Sequence, residues 1–186
     1  MIVKRILPID ELNILKAKYE IQGTETPITD FDLEDIIDEL LDLFLDSMAD
    51  AVKSINEQFE ADYKPSAAEI EKVIYRKIDG ASWEDRVRTW YENGGTAAEI
   101  VRIAETESHR IGNETAFEAA KKVGATTKTW VCMMLPTSRD THIYLNNTKV
   151  GIDDYFYSYR GGKTLFPGQF GEPEEDVNCL CELEFS

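Results

Sequence analysis

The stretch "AAKKVGATTKTWVCMML", residues 119–135, divides the chain into two kinds of sequence. Upstream of Gly124, apolar residues recur every three or four positions, the period of a helix. Ile100, Ile103, Ala104, Ile111, Ala116, Phe117 and Ala120 fall on one inward face of a helix predicted from 97 to about 122. Gly124 is the residue type that stops such a helix. Downstream, "TTKTWVCMML" is rich in β-formers and reads as a strand. The order predicts an α+β fold. Its N-terminal two thirds are helical with one long acidic helix, and a small β-rich C-terminal portion packs on the 97–122 helix.

Three earlier helix starts are legible. Ser66 with Glu69, Ser82 with Asp85, and Thr96 with Glu99 each place a hydroxyl three residues before a carboxylate, the pattern of a capping box. Gly94-Gly95 ends the helix between the last two. Further upstream, "TETPITDFD" opens a helix capped by Thr29, with Asp32 three residues on. Ile37, Leu41, Phe44, Met48, Val52, Ile55 and Phe59 continue it as one stripe. Unbroken from 30 to 62, it would be roughly 50 Å long. It carries 12 acidic residues and one lysine, Lys53. The plain reading is a solvated outer face. The sharper one is a rod docking a basic partner through Ile37, Leu41, Phe44 and Met48. Residues 1–28, with Pro8 and Pro27, read as a short strand or extended arm and a loop. The predicted division is therefore a helical docking arm over 1–95 and a second domain over 96–186.

Composition narrows the function classes. The 186 residues suffice for a hydrophobic core without disulfide staples. Net charge is −16, from 36 acidic and 20 basic residues. Such a surface repels phosphate backbones, so no direct nucleic-acid partner is expected. The start "MIVKRILPID" lacks an apolar run of signal length, and Asp42 and Asp46 interrupt the apolar stretch at Leu40–Leu45. No membrane span is expected, and three cysteines suit a reducing cytoplasm better than a disulfide scaffold.

The C-terminal third carries the candidate chemistry. "HIYLNNTKVG" reads as a strand and turn, and "YFYSYRGGKTLFPGQFGEP" as loops and short strands. "VNCLCELEF" alternates, placing Val177, Cys179, Cys181, Leu183 and Phe185 on one face of a final strand. Residues two apart on a strand project together, their Cα atoms about 6.5–7 Å apart. Cys179 and Cys181 could then converge on one zinc, whose Zn–S bonds are about 2.3 Å. A disulfide in a flat C-x-C strand would be strained. His142 is the better placed of two histidines, the other being His109. Cys132, Asp140, Asp153 or Asp154 could supply a fourth ligand. The alternative is that both cysteines fill the core.

Within the 97–122 helix, Glu107, Arg110 and Asn113 (or Glu114) fall three or four apart on one face. They could form a catalytic cluster, a solvated stripe or a tie between helix and loops. Ser138 near His142 is no triad, and neither a phosphate loop nor a dinucleotide fingerprint is present.

In order along the chain, these motifs resemble the phage Mu protein F family of head morphogenesis (minor head) proteins, over roughly 97–184. "IAETESHRIGNETAFEAAKKVGA" resembles the family's motif helix through Thr106, Glu107, Arg110 and Asn113. "KTWVCM" is similar to its lysine-x-tryptophan strand. "SRDTHIYLNNTKVGIDDYF" resembles Arg-x-x-His, a Leu-Asn-Gly turn and an acidic-Phe pair, with Arg139 and His142 in the first. "FPGQFGEPEEDVNCLCEL" resembles Pro-Gly-Asp, an acidic stretch and Asn-Cys-Arg-Cys. Asn147, Gln169 and Leu180 stand here for the family's glycine, aspartate and arginine. Some members carry further cysteines in place of the histidine, as a metal or cross-linking cluster would.

The resemblance implies a minor structural protein of a tailed-phage head, and no enzyme. It would assemble with portal and major coat protein, with scaffold a further partner. It would reside in the virion head after assembly in the host cytoplasm. No cofactor is expected, with a structural zinc at His142, Cys179 and Cys181 as the alternative to packing without metal. Two rivals stand: a zinc-dependent hydrolase using His142, Cys179 and Cys181 with Glu107 as base, and a non-enzymatic interaction or effector module on the same fold.

Overall fold

The computed structural model describes residues 32–186 and, ahead of them, Asn13, Ile14, Ala17 and Lys18. Those four are helical, not extended, and Lys18 pairs with Glu39. The rest of the expectation for residues 1–28, and the cap at Thr29, lie outside the described residues.

The long acidic helix, α1, runs over Leu33–Phe59, 27 residues or about 40 Å. Its N-cap is Asp32, whose carboxylate accepts from Glu34 N at 2.9 Å. It stops at Glu60, which takes the left-handed conformation at φ 51°. Helices α2 (Ala67–Ile74), α3 (Trp83–Glu92) and α4 (Ala97–Lys122) each begin at the expected capping box. In each, the hydroxyl accepts from the third backbone N–H and the carboxylate from the cap's own, satisfying two orphan donors at once.

Two apolar clusters fill the interior, and α1 and α4 run through both. The first joins Ile36, Ile37, Leu40, Phe44 and Met48 of α1 to Val73, Trp83, Val87, Trp90, Ile100 and Ile111. The second joins Ala51 and Ile55 of α1 to Phe117, Trp130, Leu145, Phe166, Cys179 and Cys181. This corrects the docking expectation. Ile37, Phe44 and Met48 are buried and Leu41 is half-buried, all against the chain's own helices. The apolar stripe is therefore taken, and what α1 offers outward is its acidic face. The first cluster draws from both sides of the expected division at 95/96.

After Gly124, β1 (Thr127–Val131) is the centre of an antiparallel sheet of order β2-β1-β5, with β2 at Lys149–Gly151 and β5 at Glu182–Phe185. Trp130 pairs with Leu183 across β1 and β5, and Lys128 with Val150 across β1 and β2. Lys128 and Trp130 are buried, and Thr127, Thr129 and Val131 are half-buried, the alternation of a strand covered mainly on one side. A hairpin of β3 (Phe156–Tyr157) and β4 (Lys163–Thr164) completes the strands. Gln58 of α1 donates to Phe185 O at 2.7 Å, tying the first described helix to the last strand. Among the described residues, no helix is long and apolar enough to cross a membrane.

Two local expectations change. "DTHIYL", Asp140–Leu145, is a short helix, α5, not a strand. His142 and Leu145, three apart, both bury from one helical face, which an alternating strand could not arrange. The final strand starts only at Glu182. Ahead of it, Pro173–Asp176 forms one helical turn, α6, and Asn178 takes φ 56°, so Cys179–Cys181 is an irregular segment.

Candidate functional site

Helix α4 presents two polar stripes one residue apart, each with spacing three then four. The first is Glu107, Arg110 and Glu114, all buried. Arg110 Nε donates to Glu107 Oε2 at 2.7 Å, and its Nη1 to Glu114 Oε2 at 3.0 Å. Its guanidinium also reaches Val73 O at 3.3 Å. Arg86 completes Glu107 at 2.6 Å, and Arg76 completes Glu114 through a fork with Nε at 2.7 Å. Three arginines thus share two carboxylates, with planar geometry suited to bidentate pairing.

The second stripe is Thr106, His109 and Asn113, and it faces the C-terminal segment. Asn178 N donates to Thr106 Oγ1 at 3.3 Å. His109 Nε2 at 2.6 Å and Asn113 Nδ2 at 3.1 Å both donate to Cys181 O. Arg139, the N-cap of α5, reaches Val177 O. The motif residues Thr106, Asn113 and Arg139 therefore hold the backbone of 177–181 from two sides.

That clamp sets the cysteines. Cys179 Sγ lies 3.5 Å and Cys181 Sγ 3.4 Å from Nδ1 of His142. The three ligand atoms lie within 4.8 Å of one another, and all three residues are buried. Helix α5 supplies His142, whose ring stacks on Phe170 at 5.9 Å and meets Trp130 edge-on at 5.6 Å. Contact with the Cys181 side chain, together with His142, holds the Cys179 thiol well below its ordinary range against the opposing effect of burial. The same contact, with burial, pushes Cys181 up. On the far side of the ring, His142 Nε2 stands 3.1 Å from Glu175 Oε2. The N–H direction misses the oxygen, so Nε2 has no well-aligned hydrogen bond. Glu175 also accepts from Thr141 Oγ1 at 2.7 Å.

The structure thus joins His142, Cys179 and Cys181, and leaves the expected fourth ligands out. Cys132 is buried in the same apolar cluster but stands outside this group. Asp140 is exposed, Asp153 pairs with Lys121, and Asp154 accepts from Gly151 N at 3.2 Å. Glu107, the base of the hydrolase reading, is held by two arginines. It lines a different cavity of about 280 Å³, with Arg86, Arg102, Thr106, Arg110 and Asp176. Burial raises the pKa of Asp176 to about 6 despite the backbone donors Phe170 N and Gly171 N.

Two buried groups went unread in the sequence, and a third was weighed only in second place. Glu175 sits in "EPEED", an acidic run that reads as solvated, although Pro173 at a helix start hints at a turn there. His109 ranked below His142. Lys128 passed as a strand residue, yet it is wholly buried, without a hydrogen-bond partner among the described residues, over the rings of Phe117 at 4.6 Å and Phe156 at 5.4 Å. Burial lowers its pKa to about 8.

Comparison with known proteins places this arrangement. The NAD(+)--arginine ADP-ribosyltransferase EFV of Enterococcus faecalis is 31% identical over 115 residues, 59% of this chain. The matched part spans 23% of that relative's length. No solved structure matches. The family described as Phage Mu protein F like protein matches residues 63–184. The match begins 34 residues before the resemblance read from the motifs, and so takes in α2, Arg76 just beyond its end, and Arg86 of α3, the two arginines that complete the α4 network. The braced helix, the cysteine–histidine cluster and all of the sheet but the last residue of β5 lie inside it, and the chain belongs to the phage Mu protein F-like family of phage head-related proteins.

Proposed function

We propose that this chain is a minor structural component of a tailed-phage head, assembling with the portal or major coat protein and, during assembly, with scaffold. One observation carries the reading: the family match covers 63–184, the part in which the motif residues Thr106, Glu107, Arg110 and Asn113 engage the protein's own side chains and backbone. Groups so engaged act as bracing, and the reading gives them no catalytic role. The acidic face of α1 and the net charge of −16 suit a basic protein surface as partner and disfavour direct contact with packaged DNA. Mass spectrometry of intact virions tests this. The chain is expected in purified heads and in co-sedimentation with portal, and its absence from both would sink the reading.

The relative named as an ADP-ribosyltransferase favours a second reading, in which the family domain serves as the delivery or docking module of an effector-bearing protein. The same chain would then still be non-enzymatic. Incubation with labelled NAD(+) and an arginine-rich acceptor discriminates. Transfer of ADP-ribose by this chain would overturn both readings.

A further inference from the structure

We propose that His142 Nδ1, Cys179 Sγ and Cys181 Sγ bind one zinc ion, with a water as fourth ligand and Glu175 as the group that orients the histidine. The first argument is metric. A tetrahedral zinc with Zn–N near 2.0 Å and Zn–S near 2.3 Å holds its nitrogen and sulfur ligands about 3.5 Å apart. The two observed separations are 3.5 and 3.4 Å.

The second argument is valence. A neutral imidazole nitrogen offers one lone pair or one proton. Two thiols aimed at the same nitrogen cannot both be satisfied by it, whereas one ion satisfies all three. The third argument is the outer shell. Metal-binding histidines characteristically direct their second nitrogen at a carboxylate, which fixes the tautomer. Here Nε2 is buried 3.1 Å from Glu175, itself held by Thr141, and it lacks a linear partner. A proton on Nε2 leaves the Nδ1 lone pair facing the sulfurs.

The fourth position has room of the right size. A cavity of about 20 Å³ opens at the cluster between Ser138, Arg139, His142, Cys179 and Cys181. That holds about one water. With both sulfurs bound as thiolates, the ion and its ligands form a neutral unit in an apolar surround. With its ligands drawn from α5 and from the segment ahead of β5, the ion would cross-link that segment to α5. This role is structural and goes beyond the assembly reading.

The test uses the full chain purified without chelator. About one zinc per chain is expected by elemental analysis. Cobalt added to chelator-stripped protein is expected to give thiolate-to-metal charge-transfer absorption and tetrahedral ligand-field bands. Cys181→Ser should abolish the charge-transfer band or weaken binding steeply, and Cys132→Ser should leave the stoichiometry unchanged. Glu175→Gln should weaken zinc affinity roughly 10–100-fold while the protein stays folded. No zinc as purified together with no cobalt spectrum on titration would overturn the site. Loss of binding in Cys132→Ser would overturn the ligand set, and unchanged affinity in Glu175→Gln the outer-shell assignment.

Discussion

Helix α4 separates two buried polar clusters that share its backbone but not their state of completion. On one stripe, Arg110 is enclosed by Glu107, Glu114 and Val73 O, and the two carboxylates are completed by Arg86 and Arg76. Facing the other stripe, two thiols converge on one imidazole nitrogen, and the opposite nitrogen stands beside a carboxylate it does not squarely meet. Buried groups that are fully paired fix a fold; buried groups short of partners mark a place where something else belongs. The difference separates scaffold from site within one helix diameter.

The paired cluster should be the costlier to break. Arg110→Ala leaves Glu107 and Glu114 short of a partner inside the protein, and a loss of about 3–5 kcal/mol is expected in denaturant unfolding. A loss below about 1 kcal/mol would mean that water or a shifted arginine replaces it, and the contrast would collapse.

Replacing both cysteines by serine is expected to cost about 2–4 kcal/mol in zinc-loaded protein, the range for loss of a core or metal anchor. Chelator should lower the melting temperature of the wild type and leave that of the double variant unmoved. Equal melting of wild type and variant, with and without chelator, would reduce the second cluster to ordinary packing.

Lys128 sharpens the comparison as a third under-partnered group. Its pKa is lowered from 10.5 to about 8, first by burial. Between those values the unfolded chain holds a proton that the folded chain has released, so stability rises with pH from about 8 to 10.5. Below pH 8 the buried ammonium contributes its full cost. Lys128→Met should raise stability at pH 7 by about 1–3 kcal/mol and flatten that rise. Unfolding measured at pH 7 and pH 10 checks both. The exposed Lys72–Glu118 pair, 3.1 Å apart, gives the lower limit: Lys72→Ala should change stability by less than about 0.5 kcal/mol.

What could be read from the sequence followed the range of the signal. Capping boxes act over three residues, so Ser66, Ser82 and Thr96 announced their helices directly. For α1 the described cap is Asp32, which the sequence pattern places three residues inside the helix. "THIYL" prefers strands by residue type, but burial of His142 and Leu145 on one face overrides that weak preference. The cysteine–histidine triad was legible because three cysteines and two histidines leave few combinations. Glu175 was not, since a carboxylate's burial depends on how α6 folds back under α5. The stripe on α1 was read correctly as apolar, and its occupant wrongly as foreign: periodicity tells which face is covered and is silent on what covers it.

The placement of the three tryptophans gives each half of the core its own optical reporter. Trp83 and Trp90 lie in the helical cluster, Trp83 edge-on to Phe44 at 5.0 Å. Trp130 lies in the other, against His142 and beside Cys181. Imidazole and sulfur quench an excited indole at such range, whereas aliphatic neighbours leave it bright. With Trp83 and Trp90 replaced by phenylalanine, the remaining emission would come from the cysteine side alone, so a change there would register a ligand arriving or a thiol oxidising without any label attached.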